Sequence, residues 1–172
     1  SALLESGLTY TPTSGSPTSV SYSYNNDRLM TGAGDLSMSR TASTGLISQT
    51  TLSNITEDFS YNSTYAEVSQ YDAKYSGTSF FKQVYTRDLL GRVSRNAETI
   101  GGTTTNYDYV YDSAGRRSTG TIGGTLARTY NYSNNSNRSS LVTSGGTTSA
   151  TYDDQDRILT YGTMTFTHNM RG

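Results

Sequence analysis

Cysteine is absent from the 172-residue chain, which excludes disulfides and thiolate metal sites and leaves the redox compartment open. Tryptophan is also absent, proline occurs twice (Pro12 and Pro17), and His168 is the single histidine. A lone His without Cys cannot assemble a zinc site. Ser-His-Asp chemistry would need that same His168, and nothing in the sequence places an activated serine beside it. No apolar run is long enough to cross a membrane as a helix. A membrane barrel would need Leu, Val and Phe on its lipid face, where these segments offer Thr and Ser. Neither sign of charge dominates: 13 Lys and Arg face 14 Asp and Glu, and the formal net charge is −1. Without a basic run or stripe, nucleic-acid binding loses its electrostatic basis. Residues 1–10 hold no recognisable signal peptide, and the chain opens on Ser1 rather than Met.

What is present points to an all-β protein. Ser and Thr fill about a third of the positions, and 15 Tyr and 17 Gly accompany them. Thr and Tyr suit the pleated, half-buried surface of a strand, and Gly supplies the positive φ of tight turns. A chain rich in Tyr must bury ring faces while its hydroxyls find partners.

Internal repetition carries most of the information. Gly-Gly-Thr recurs at residues 101–103, 123–125 and 145–147, a strict 22-residue interval, and Gly77-Thr78 lies 24 residues earlier. Between these glycine turns stands a second phrase, clearest in residues 109–116, where Tyr109 and Tyr111 precede Asp112, Gly115 and Arg116. Residues 85–92 keep Asp88, Gly91 and Arg92 in register, with Arg87 in the place of the second Tyr. Tyr152, Asp153 and Arg157 form another copy in which Asp156 replaces Gly. Tyr130, Tyr132 and Arg138 belong to a copy one residue longer, and Tyr61 with Asn62 opens a longer copy ending in Glu67. Tyr24, Asp27 and Arg28 belong to a copy one residue shorter, and residues 40–46 form a degenerate one. Residues 166–172 bring Asn169 and Gly172 into register with the clearest copy, so the chain stops inside a motif. The Asp-equivalent position thus recurs through eight copies at intervals of 16 to 26 residues, and the chain is expected to be a piece of a larger polypeptide.

Each unit reads as a hairpin. The alternating segment 106–111 puts Tyr107, Tyr109 and Tyr111 on one face. Asp112 is placed to accept a backbone N–H two residues on, Gly115 to supply positive φ, and Arg116 to open a return strand running to residue 122. Repetition predicts an extended antiparallel meander of stacked hairpins over residues 20–172, with residues 1–19 an irregular segment or partial strand. Equivalent tyrosines are expected side by side on neighbouring strands. The motif Arg is expected over a ring or against a motif Asp.

Residues 111–116 and 87–92 together resemble the YD or Rhs repeat, and the resemblance covers about residues 20–172. Relatives of this kind include the Rhs polymorphic toxins, the encapsulating components of Tc toxins, and the teneurins. The resemblance implies a secreted or cell-surface protein whose long sheet spirals into a hollow β-shell. In bacterial members the shell encloses a toxin domain, and in teneurins it serves adhesion. The family's self-cleaving aspartyl protease has no matching segment here, so no catalytic residue is carried over. The residues read above are therefore structural repeat positions, with no cofactor and no enzyme activity expected. The remaining repeats of the parent polypeptide are the expected partners, with an enclosed toxin domain as a further one. Two alternatives use the same residues: an adhesive or glycan-binding surface of tyrosine faces, or self-association through sheet edges into a filament or tube.

Other candidates read more simply. The segment 32–36 (Gly-Ala-Gly-Asp-Leu) echoes a calcium-binding nonapeptide, but no second copy follows and it reads as a turn. It has neither the third Gly nor the strand–helix setting of a dinucleotide fingerprint. Adjacent carboxylates at Asp153-Asp154 and Glu57-Asp58 do not make a glycosidase pair. His168 holds a motif Tyr position and is expected to pack like one. Asn54, Asn62 and Asn131 open glycosylation sequons of a kind that an Asn- and Ser/Thr-rich chain produces freely.

Overall fold

A computed structural model describes residues 4–169, and every regular element among them is a strand. The first eight strands are β1 (Gly7–Tyr10), β2 (Thr18–Tyr24), β3 (Met30–Ala33), β4 (Leu36–Arg40), β5 (Ile47–Leu52), β6 (Ile55–Tyr61), β7 (Val68–Tyr75) and β8 (Thr78–Arg87). There follow β9 (Val93–Ile100), β10 (Thr103–Tyr111), β11 (Arg117–Ile122), β12 (Thr125–Tyr132), β13 (Arg138–Thr143), β14 (Gly146–Tyr152), β15 (Ile158–Tyr161) and β16 (Met164–Thr165). They form a 16-stranded antiparallel meander in which spatial order is chain order. The segment 1–19 includes β1, which pairs with β2 from Gly7↔Ser21 to Tyr10↔Thr18. The chain divides into two compact units, residues 1–85 with 98–104, and residues 86–97 with 105–172.

From β2 onward two kinds of connection alternate. At one end of the strands lie two-residue turns, such as Gly101-Gly102 (φ 54° and 84°) and Gly123-Gly124 (φ 57° and 83°). Positive φ at both positions gives the type I′ geometry whose twist matches that of the flanking strands. Gly34-Asp35, inside the calcium-like phrase, is another two-residue turn, joining β3 to β4 with positive φ at Gly34 alone. At the other end lie longer corners, and seven of them fall between described strands, at residues 25–29, 41–46, 62–67, 88–92, 112–116, 133–137 and 153–157. Register shifts recur just before the corners, at Ser23/Tyr24, Ser39/Arg40, Ser60/Tyr61, Val110/Tyr111, Asn131/Tyr132 and Thr151/Tyr152. A bulge of this kind re-aims the side chain it carries.

Little is buried. Among the described residues only Gly32, Asp72, Ala73 and Gly120 are buried, and no large side chain is fully enclosed. Leu8, Tyr10, Tyr75, Ile100 and Leu126 stand more than half exposed. Stabilisation therefore has to come laterally, from strand to adjacent strand, in the manner of a repeat array.

Candidate functional site: the Tyr–Asp–Arg corner

The corner at residues 112–116 shows why its residue types recur. The Asp112 N–H donates to the Arg116 carbonyl (2.8 Å), and the Gly115 N–H donates to the Asp112 carbonyl (3.0 Å). Closing this loop needs φ of +81° at Gly115. The carboxylate of Asp112 then works on two sides. Its Oδ1 accepts the N–H groups of Ala114 (3.0 Å) and Arg116 (2.9 Å), and its Oδ2 accepts Arg116 Nε (2.8 Å). Corners 88–92 and 153–157 repeat these bonds with Asp88/Arg92 and Asp153/Arg157.

Charge follows geometry. Donation by the Arg92 side chain holds the Asp88 carboxyl below its ordinary 3.8. At Asp112 desolvation pushes upward, but the Arg116 side-chain and backbone donors outweigh it and the net shift is downward. At Asp153 the Arg157 N–H is the main cause of a downward shift, opposed by desolvation.

The tyrosine before the Asp reaches backwards along the sheet. Tyr111 Oη donates to the Val93 carbonyl (2.8 Å), Tyr132 to Arg117 (2.8 Å) and Tyr152 to Arg138 (3.1 Å). In the other unit Tyr61 donates to Ile47 (2.7 Å) and Tyr24 to Glu5 (2.8 Å). In the later four cases the acceptor is the residue immediately after the preceding corner. Where Arg40 stands in for Tyr, its Nε donates to the equivalent Met30 carbonyl (2.9 Å). His168 fills the same slot, its Nε2 lying 2.7 Å from the Ile158 carbonyl oxygen.

The motif arginines reach forwards. The Arg92 guanidinium lies 4.3 Å from the Tyr111 ring centroid, and that of Arg116 lies 4.4 Å from Tyr132. Corners 88–92 and 112–116 are thus each tied to the next by a stacked guanidinium and a returning hydroxyl.

Some residues stand elsewhere than the sequence implied. In the first copy the Asp slot belongs to Asn25, whose Oδ1 accepts the N–H groups of Asp27 and Leu29. Asp27 is therefore the third corner residue, and Arg28, with φ 65°, occupies the glycine slot. Tyr130 and Tyr132 precede a five-residue corner, 133–137, with Ser133 in the Asp slot and Ser136 (φ 70°) in the Gly slot. Arg138 is the first residue of β13, equivalent to Arg117 rather than Arg116, and lies 5.4 Å from the Tyr161 ring. Arg116 ends its corner, and β11 opens on Arg117. Asn62 Oδ1 accepts the Thr64 and Tyr65 N–H groups in a six-residue corner whose positive φ falls on Ala66. Asn169 follows His168 as Asp112 follows Tyr111, and Gly172 lies outside the described residues.

The motif tyrosines do not stack on one another. They lie on every second strand, about 9–10 Å apart at normal strand spacing, and an arginine from the strand between fills the gap. Arg117 lies 4.3 Å from the Tyr109 ring and 5.3 Å from the Tyr130 ring. A Cβ on Gly120 would come within 2.7 Å of Arg117 Nη2, so glycine there gives the guanidinium its place on the strand. Sequence reasoning missed Arg117 and Gly120; the signal was the pair of strand-opening arginines, Arg117 and Arg138, 21 residues apart. Direct ring pairs occur instead at Phe59–Tyr71 (5.3 Å) and Tyr71–Phe81 (6.0 Å). Tyr71 Oη donates to Glu57 (2.6 Å), which pushes the phenol up to about 12 and, with Thr50, holds Glu57 below its usual range.

Among the described residues no group of His, Cys, Asp and Glu is placed to hold a metal ion, and no helix is long and apolar enough to cross a membrane. A family model described as the teneurin YD-shell matches residues 6–172. No curated protein sequence matches the chain. Solved structures share the fold, two among them at TM-scores near 0.7. One is TcdB2-TccC3 without its hypervariable C-terminal region, at 10 % identity and a TM-score of 0.68, covering 90 % of this chain and 10 % of that one. The other is the Photorhabdus luminescens Tc holotoxin pore, at 14 % identity and a TM-score of 0.71, covering 91 % of this chain and 10 % of that one. The chain thus spans about a tenth of each.

Proposed function

The chain belongs to the teneurin YD-shell family, and from that premise we propose that it is a wall segment of a β-shell in a larger secreted or surface protein. The observation that carries this reading is the corner-to-corner coupling. The repeat units direct their functional groups at their neighbours, as Tyr132 does to Arg117 and Arg116 to Tyr132. A wall needs such coupling, because a single layer has to be stiff without a core behind it. β1 and β16 end the strand order, and their outer N–H and C=O groups are natural docking points for further repeats of the parent polypeptide. In this reading the parent shell encloses an effector or toxin domain, and the chain itself has a mechanical rather than a catalytic task.

The test uses the full-length parent protein. Limited proteolysis should leave a domain downstream of the repeats intact at protease levels that degrade the same domain expressed alone. Equal cleavage rates for the enclosed and isolated domain would overturn the encapsulating role.

A further inference from the structure

In the unit containing residues 105–172, four arginines meet a carboxylate: Arg92 meets Asp88, Arg95 meets Asp108, Arg116 meets Asp112 and Arg157 meets Asp153. Arg117, Arg128 and Arg138 have no carboxylate partner among the described residues, and Arg117 and Arg128 lie at one place. Arg117 is held between two tyrosine rings, whose faces compensate its charge but accept no hydrogen bonds in the plane of its fork. Its Nε is buried without a hydrogen-bond partner. Arg128 sits directly across the ladder from Gly120 and is exposed. Both line one cavity of about 190 Å³, together with Tyr107, Tyr109, Gly120 and Ile122, and no acidic side chain lines it.

Two guanidinium groups without a carboxylate partner around one small cavity ask for an anion, and a carboxylate matches their planar fork. Size narrows the source. The volume equals that of about six waters, below the roughly 300–1,000 Å³ of pockets that enclose drug-sized ligands. It admits one side-chain group projecting from a chain outside, not an oligosaccharide. We propose that this cavity is a docking site for an Asp or Glu side chain of an acidic polypeptide segment lying across the tyrosine-bearing face. The proposal adds a partner chemistry to the shell reading and rests on it only for where such a segment would come from; binding itself is a property of this chain.

The experiment is fluorescence anisotropy on the 172-residue chain with a labelled Gly/Ser decapeptide carrying three Glu, and its Gln counterpart. The Glu peptide should bind at least tenfold more tightly than the Gln peptide, and less tightly as salt rises. Arg128→Gln should weaken binding at least fivefold with an unchanged melting temperature, since Arg128 is exposed and unpaired, while Arg128→Lys keeps part of the affinity. Arg28→Gln, which removes an exposed charge elsewhere, should leave binding unchanged. Equal binding of both peptides, wild-type affinity in Arg128→Gln, or equal loss in Arg28→Gln would overturn the site. So would a glucuronate oligosaccharide that binds where the Glu peptide does not. These outcomes are independent of whether the parent protein encloses a domain.

Discussion

Removing one oxygen from Tyr132 tests the coupling between corners most directly. In Tyr132→Phe the ring stays, and so does its contact with the Arg116 guanidinium 4.4 Å away. What is lost is the 2.8 Å bond to the Arg117 carbonyl, which is half-buried and lies in a strand-opening position. A hydrogen bond of this kind contributes about 0.5–1.5 kcal/mol net, so the variant should be destabilised by about 1 kcal/mol. For a chain of this length that corresponds to a melting temperature lower by about 2–4 °C. Tyr132→Leu also removes the ring under Arg116, worth about 0.5–1 kcal/mol more at a half-exposed site. The control is Tyr65→Phe: Tyr65 is 74 % exposed, and its hydroxyl makes no bond. Its loss should stay within about 0.5 kcal/mol. Urea titration reads all three, with an unchanged slope required for the comparison. Hydrogen exchange should speed up in β11 and β12 before it does so in β14. If Tyr132→Phe matched Tyr65→Phe, the returning hydroxyl would carry no load and the account of the repeat would fail.

Other outcomes follow from the same geometry. Gly115→Val forces a β-branched residue to φ +81° and should cost on the order of 1–2 kcal/mol or more in urea melts. Conversely, Arg28→Gly relieves an exposed residue at φ 65° and should stabilise by about 0.5–1 kcal/mol in the same assay. The corner carboxylates Asp88, Asp112 and Asp153 are depressed in the folded state, so their contribution is intact above the ordinary 3.8 and is lost as pH falls below it. An acid titration followed by circular dichroism should therefore show its loss below 3.8, and the triple Asp→Asn variant should lack that step. Tyr71, raised to about 12 from the ordinary phenol value of 10, should ionise late in an alkaline titration, and Glu57→Gln should bring it down, read by phenolate absorbance.

Much of this was legible because the corner is local. Asp112, Gly115 and Arg116 act on one another within five residues, and an Asx turn, a positive φ and a guanidinium fork can each be read from residue type. The meander followed from the alternation of two turn types. What stayed hidden depended on strands two places apart. Nothing in the phrase Gly-Arg-Arg tells which arginine clamps its own corner and which slides between rings; Gly120, four residues beyond the corner, decides it by making room. The first copy misled for another reason. Asn25 mimics a carboxylate by offering the same acceptor oxygen, so the conspicuous Asp27 and Arg28 drew the register away from it. Tyrosines spaced for strand-to-strand stacking were expected to touch, but they occupy alternate strands, and only a long cation bridges that distance.

The shortage of aliphatic burial and the richness in polar corners are one fact seen twice. A sheet whose described side chains are nowhere fully enclosed cannot draw its stability from a core, and the hydrophobic term alone would leave each hairpin marginal. Each copy compensates with groups that are directional and short-range, so that the worth of Tyr132 depends on Arg117 being in place and that of Arg116 on Tyr132. Nearest-neighbour coupling of this kind sets no limit on the number of copies, because adding a hairpin creates the next attachment point without demanding a larger interior. It also frees both faces of the layer. One can then carry Arg117 and Arg128, which have no carboxylate partner, without compromising the fold.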